Sequence, residues 1–457
     1  MIHLRSESVQ IRGGCPVPCS AEALAAGREK TMAWSVLAAH DRGGKPGSLA
    51  VRFDSLISHD ITYVGIIQTA MASGLRRFPM PYVLTNCHNS LCAVGGTINA
   101  DDHAFGLSAA KKFGGIYVPA NMAVIHQYAR EELAGCGRMV LGSDSHTRYG
   151  ALGTLGVGEG GPELVKQLLG GTWDIPAPET VLVWLTGELP RGVGPHDVAI
   201  ALCGAVYKNG FVKNKVLEFA GPGVAKLPMD CRIGIDVMTT ETACLTSIWQ
   251  TDGAVEEYLA LHGRPDAYRS MAPVEGAAYD AMVEIDLSTV EPMAALPFHP
   301  SEAVTIRELR RSAGDILRQV EDTVLRQYGG KVRMDLTKKL VNGQLRIDQG
   351  VIAGCAGGMY DNLAEAAAIL RGHGTGSGFF ELTAYPPSIP VELELSRMGS
   401  GTPCWRAARS SSPASAGPAS VQVTLPPTTR SLSAIPHVIS PTVRAPSPLT
   451  GKLPQLP

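Results

Sequence analysis

The chain has no Cys-x-x-Cys or Cys-x-x-His pair, although it carries 10 cysteines and 12 histidines. That argues against zinc-ribbon and thioredoxin-type motifs, and thiols scattered over 457 residues do not make a small disulfide scaffold. The tightest spacing, Cys15-Pro16-Val17-Pro18-Cys19, lies in a Gly/Pro-rich arm and is read as incidental. Free thiols in a reducing compartment, the cytoplasm, are expected. No apolar run reaches the roughly 18 residues of a membrane-spanning helix, so no membrane partner is expected. Met1 to Gly27 lack an apolar core of the kind a secretory signal has. Charge of one sign is missing too: 40 Lys and Arg balance 42 Asp and Glu, which argues against a nucleic-acid partner. What is present, 45% hydrophobic and 18% charged residues, is an ordinary globular composition, long enough for two or three domains.

Short apolar runs alternate with amphipathic segments. Arg138 to Leu141 and Thr180 to Leu189 read as strands, and Gly161 to Leu169 between them as a helix with Leu164, Val165 and Leu168 on one face. Strand, loop, helix, strand is the pattern of a parallel α/β sheet, so the fold class is α/β. Pro195-His196-Asp197 opens a helix to Tyr207, and Ala281 to Leu287 reads as a further strand. The domain expectation is a poorly defined extension over 1–28, α/β domains over 29–190 and 191–300, a charged helical linker over 301–345 and a partial α/β domain over 346–398. That last unit holds a strand near Val351-Ile352-Ala353 and a helix from Asn362 to Leu370. From Gly399 to Pro457 the chain is mostly Ser, Pro, Thr, Ala and Arg with no acidic residue, which predicts a disordered segment.

Chemistry concentrates in the loops after strands, where parallel α/β folds place ligands. Gly142-Ser143-Asp144-Ser145-His146-Thr147 follows one strand and leads into the glycine-rich Gly150 to Gly158. An Asp two residues before a His can orient the imidazole and hold its charge, while Ser145 offers a hydroxyl. His126-Gln127, Asn86-Cys87-His88-Asn89 and His59-Asp60 each lie at or beyond an apolar run, which suggests side chains converging on one cleft. His103, His196 and His299 are read as structural histidines.

Taken together, His126-Gln127, the Asp144-Ser145-His146 loop, the glycine run and the strand ending Leu185-Thr186-Gly187 resemble the aconitase superfamily in order and spacing. The likeness extends over roughly residues 30 to 398, including Gly221-Pro222-Gly223-Val224, Met238 to Trp249 and Tyr279-Asp280. It is nearer to bacterial hydratases of that superfamily than to the citrate-cycle enzyme. The resemblance implies aconitase-like three-layer α/β/α domains with mainly parallel sheets. It also implies a hydro-lyase that adds or removes water on a small hydroxy di- or tricarboxylic acid at a [4Fe–4S] cluster. Carried over residue by residue, Asp144, His146, His126, His88 and Glu241 match catalytic positions. His59, Asp144, Ser145 and His146 match substrate-binding positions, and Cys355 matches a cluster ligand. Three departures surround the substrate: His59 stands for a usual Gln, Cys87 for the acid before His88, and Val237 for an Asn. Around Cys355, Ala356-Gly357-Gly358 replaces Thr-Asn-Ser.

The family's other two cluster ligands, its base and its Arg clamps belong to later segments, the base and clamps on a swivelling domain. The tail from about 399 admits, one frame over, a Cys-x-x-Cys and an Arg-rich segment in order. A frameshift product is therefore expected there, with a native disordered tail as the other possibility. On this reading the chain is a truncated copy, holds no cluster and is inactive, and no partner subunit is expected. Two further readings stand beside it: the large subunit of an isopropylmalate-isomerase-type enzyme, and a non-catalytic ligand-binding descendant.

Overall fold

A computed structural model describes residues 2–87, 97–370, 380–398 and the strand Val421–Leu425. Two five-stranded sheets organise it. In the first, the strands Ile116–Val118, Tyr82–Thr85, Ser55–His59, Met139–Gly142 and Leu155–Gly158 lie side by side in that order, all parallel. Successive side chains on a strand point to opposite faces. Leu56, Tyr82, Leu84, Met139 and Leu141 accordingly enter one core with the helices Met32–His40, Tyr63–Ala72, Thr97–Phe113 and Gly161–Leu168. Ile57, Val83 and Val140 enter another, beneath the helices Ile125–Glu132 and Gly253–Leu261. A sheet buried on both faces by helices is the expected three-layer arrangement.

In the second sheet the order is Ile2–Arg5, Ala281–Asp286, Thr180–Thr186, Val216–Ala220 and Thr246–Trp249, with the first strand antiparallel and the rest parallel. Val181, Val183, Leu217, Phe219 and Val283 pack against the helices Pro195–Val206 and Met229–Met238. The first of these helices starts where Pro195 needs no backbone donor and the Asp197 carboxylate accepts from Gly194 N–H at 2.7 Å.

Two expectations need correction here. Thr180–Thr186 does not continue the sheet of Met139–Gly142; it is the central strand of the second sheet, so the pattern read as one βαβ unit crosses between sheets. The first 28 residues are not a loose extension either. Ile2 and Leu4 pack on the second core, and the hairpin Val9–Arg12/Cys15–Pro18 buries its Val9 and Ile11 with Leu182, Ala220 and Met282 on the opposite face of that sheet.

Residues 301–345 contain the long helix Ile306–Gln327, capped reciprocally by Thr305 and Glu308. Its charged face is exposed, but Leu317, Val320 and Val324 form a small core with Leu296 and Leu336. In the third unit, Gln349–Ile352 runs parallel to Phe380–Ala384. The strand Val421–Leu425 pairs antiparallel with the latter, a departure from a tail wholly without regular structure. Its Val-Gln-Val-Thr-Leu sequence suits an edge strand, because β-branched residues favour the pleated backbone. The third unit is tied to the first at Ser388, whose hydroxyl donates to Glu131 at 2.7 Å, and at Ile389, whose N–H donates to the Met122 carbonyl at 3.0 Å.

Candidate active site

The carboxyl edge of the first sheet supplies the floor of the site. His59 ends the strand Ser55–His59, Cys87 lies two residues beyond Tyr82–Thr85, and Asp144 lies two residues beyond Met139–Gly142. The loop after Met139–Gly142 folds back on itself. Asp144 Oδ1 accepts from the His146 backbone N–H at 2.8 Å, and the Thr147 hydroxyl donates to the Asp144 carbonyl at 2.7 Å. Glycines beneath make this turn possible. A Cβ at Gly142 would lie 2.1 Å from Thr147 Oγ1, and one at Gly158 would lie 2.3 Å from the Asp144 carbonyl oxygen.

Asp144 is the hub. His126, the second residue of the helix Ile125–Glu132, donates from Nε2 to Asp144 Oδ1 at 2.9 Å. His59 Nε2 lies 3.6 Å from Oδ2, and His146 Nδ1 lies 3.6 Å from Oδ1. From the second sheet's side, Glu241, on the turn Thr239–Thr242, accepts from His146 Nε2 at 3.1 Å. Thr240 Oγ1 donates to the Ser145 carbonyl at 2.7 Å and joins the two loops, leaving the Ser145 side chain exposed. Cys355 follows the strand Gln349–Ile352, partly exposed, with its carbonyl accepting from Arg130 Nη1 at 2.7 Å. Desolvation raises its thiol pKa. The Arg130 guanidinium opposes that rise and the nearby Asp144 carboxylate reinforces it.

Two of the imidazoles around Asp144, those of His126 and His146, behave oppositely. Burial drives His126 down to about 4, against the pull of Asp144, so the ring is neutral near pH 7. Desolvation works in the same direction on His146, but hydrogen bonds and charge from Asp144 and Glu241 outweigh it and raise the ring to about 9. Hydrogen bonding to His146 holds Glu241 below the usual carboxylate range. The site therefore presents one imidazolium and one neutral imidazole on a shared carboxylate.

Asp144, His146, His126, Glu241 and His59 lie together, with Ser145 at the rim. His88 lies outside the described residues. Val237 is fully buried and Ala356 partly so. His103 is a satisfied core histidine, 3.1 Å from Asp60. His299 differs from its reading as purely structural: its Nε2 lies 3.8 Å from Glu241, and its ring stacks on Tyr207. Sequence reasoning missed Tyr149, whose hydroxyl lies 3.2 Å from His126 Nδ1, and Arg130, one helical turn beyond His126. That four-residue spacing was the signal available for Arg130.

A [4Fe–4S] cluster takes about three or four protein ligands, and among the described residues Cys355 is the position that matches one of them. Cys355 is the only candidate thiol in the third unit's loop. Cys87 is buried with its sulfur accepting from Ile125 N–H at 3.2 Å. Among the described residues, no three His, Cys, Asp or Glu side chains are grouped to hold a metal ion.

Comparison with known proteins gives a consistent picture. The family model described as the aconitase family (aconitate hydratase) matches residues 33–403. The mitochondrial aconitate hydratase of Candida albicans is 27% identical over 373 residues, covering 77% of this chain and 44% of that protein. The one from Saccharomyces cerevisiae is 27% identical over 372 residues, with the same shares. The 3-isopropylmalate dehydratase large subunit of Desulfovibrio desulfuricans is 29% identical over 265 residues, covering 57% of this chain and 55% of that protein. The chain thus spans less than half the length of the aconitate hydratases it matches.

Proposed function

Because the chain belongs to the aconitase family, we propose that it carries the acid side of a hydro-lyase site for a small hydroxy di- or tricarboxylic acid. The observation behind this is His146, held as an imidazolium between Asp144 and Glu241 at the partly open mouth of the site. Loss of water from a hydroxy acid breaks a C–O bond, and hydroxide is a poor leaving group until it is protonated. His146 gives its proton to the departing hydroxyl in dehydration and takes one from water in hydration. Positioned acids of this kind contribute about 10²–10⁴-fold in rate. Asp144 sets the ring's orientation and keeps its charge, and Glu241 holds the far nitrogen. The imidazolium also attracts a substrate carboxylate, and His59 adds a second donor on the floor of the site. No step is assigned to an iron–sulfur cluster in this chain, although the family generally holds one.

The test is calorimetric titration of the full chain with a hydroxy tricarboxylate and with a 2-hydroxy dicarboxylate. Saturable binding of one of them is expected, weakened at least about tenfold in His146→Gln. It should also weaken as pH rises through about 9, where the ring loses its proton. A folded chain that binds neither acid, or a His146→Gln variant that binds as well as the parent, would sink the proposal.

A second reading follows from the likeness to 3-isopropylmalate dehydratase large subunits. In it, a separate small chain completes the site, and co-purification of such a chain would favour it. A reducing compartment such as the cytoplasm is part of the same proposal, supported by the cysteines of the described residues, which form no disulfide with one another. No helix among the described residues is long and apolar enough to cross a membrane.

A further inference from the structure

The two nitrogens of His126 face different partners, and those partners decide where its proton sits. Nε2 lies 2.9 Å from Asp144 Oδ1, the same oxygen that accepts from the His146 backbone N–H at 2.8 Å. A backbone N–H only donates, so that oxygen is an acceptor and Nε2 must carry the hydrogen. In the neutral ring Nδ1 is then a lone pair. Its partner is the Tyr149 hydroxyl at 3.2 Å, which donates to it.

The surroundings keep this order in place. His126 is 3% exposed and Tyr149 1% exposed, so neither can exchange its partner for water. The phenol is packed among Ile57, Val140 and Leu152, and its backbone is held by a bridge to Thr154. The titratable and charged groups acting on His126 are Asp144, Arg130 and His146; Arg130, Asp144 and Cys355 act on Tyr149, whose hydroxyl also meets the Thr147 side chain. Arg130, from the same helix, and the His146 ring, centred 6.3 Å away, both oppose a second positive charge on His126.

We propose that Tyr149 is a positioning residue, whose phenol fixes His126 as a neutral imidazole with its hydrogen on Nε2, leaving His146 as the only ring of the pair with a proton to give. His126 then serves to aim and anchor Asp144, not to transfer a proton to substrate, in contrast to its expected catalytic role. The proton-donor half of this division rests on the hydro-lyase reading; the tautomer does not. Burial also pushes the Tyr149 phenol up, in keeping with a group that stays protonated and donates.

The experiment is two-bond proton–nitrogen correlation NMR on the full chain with ¹⁵N-labelled histidine, with the His126 signal identified by its loss in His126→Gln. From about pH 6 to about 8, His126 should show an unprotonated Nδ1 and a protonated Nε2, while both nitrogens of His146 are protonated at the lower end. Tyr149→Phe keeps the ring in the core but removes the donor. The midpoint of His126 protonation should then lie at higher pH than in the parent, because its neutral form has lost a hydrogen bond. A protonated Nδ1 or a doubly protonated ring in the parent would overturn the tautomer. An unchanged His126 in folded Tyr149→Phe would overturn the role of the phenol. Should that variant not fold, the parent decides: a slowly exchanging Tyr149 phenolic proton correlated with His126 Nδ1 is expected, and its absence overturns the proposal. A chain that binds no hydroxy acid yet gives the expected spectrum refutes the hydro-lyase reading and leaves the tautomer standing.

Discussion

Glu241 shows how much of a residue's behaviour comes from a neighbour distant in sequence. It meets His146 at 3.1 Å although the two lie 95 positions apart in sequence, and with Asp144 it keeps that ring protonated. Replacing a carboxylate by an amide removes charge while keeping shape. Glu241→Gln should therefore lower the His146 pKa by about one unit or more, since an adjacent opposite charge is worth roughly 1–3 units. A proton NMR titration of the ring reads this directly, and an unmoved midpoint would show that Glu241 does not set the charge. At this scale the Asp144-Ser145-His146 loop was legible, because its chemistry is local. Tyr149 was not: it stands three residues beyond His146, but only the folded chain turns its hydroxyl toward a histidine on another element. His299 was legible only as a histidine, because the stacking on Tyr207 that accompanies its approach to Glu241 has no local pattern.

Among the elements, the strand Leu155–Gly158 and the loop above it make one unit whose composition is set by clearance. The glycine at position 158 lets backbone approach backbone. Gly158→Ala would place a methyl 2.3 Å from the Asp144 carbonyl oxygen, and that oxygen is pinned by the Thr147 hydroxyl and N–H. The loop has to lift, so a loss of about 1–3 kcal/mol in denaturant-unfolding stability is expected. The His126 and His146 ring signals should shift with it, because both rings hang on Asp144. Unchanged ring signals would mean that the loop is not seated on this glycine. The strands and helices named from apolar periodicity are all present, most with ends within about two or three residues of the expected ones. Their grouping was not, because periodicity says which face of a strand is buried and nothing about which sheet it joins. Hence Thr180–Thr186 was assigned to the wrong sheet. Ile2–Arg5 is too short for its alternation to be seen without the edge of Ala281–Asp286 that it completes.

For the molecule as a whole, the opposed shifts of the two rings make stability depend on pH in separable windows. His146 is raised in the fold from 6.5 to about 9, so the folded chain binds more protons there than the unfolded chain. Its contribution is fully present below about pH 6.5 and is lost as pH rises through about 9. His126 is lowered from 6.5 to about 4, so its contribution runs the other way, with stability lost as pH falls from about 6.5 toward 4. Buried carboxylates also titrate on the acid side. Asp197 and Asp230, each raised to about 6 by burial, favour the folded state as pH falls and offset His126 there. The alkaline window is cleaner. His40, also raised by its Asp54 partner against desolvation, acts equally in parent and variant, so their difference isolates His146. Denaturation midpoints of the parent should exceed those of His146→Gln by an amount that shrinks from about pH 6.5 to about pH 9. A constant gap across that window would mean that the ring's charge, and with it the Asp144–His146–Glu241 cluster as the centre of the site, has been misassigned.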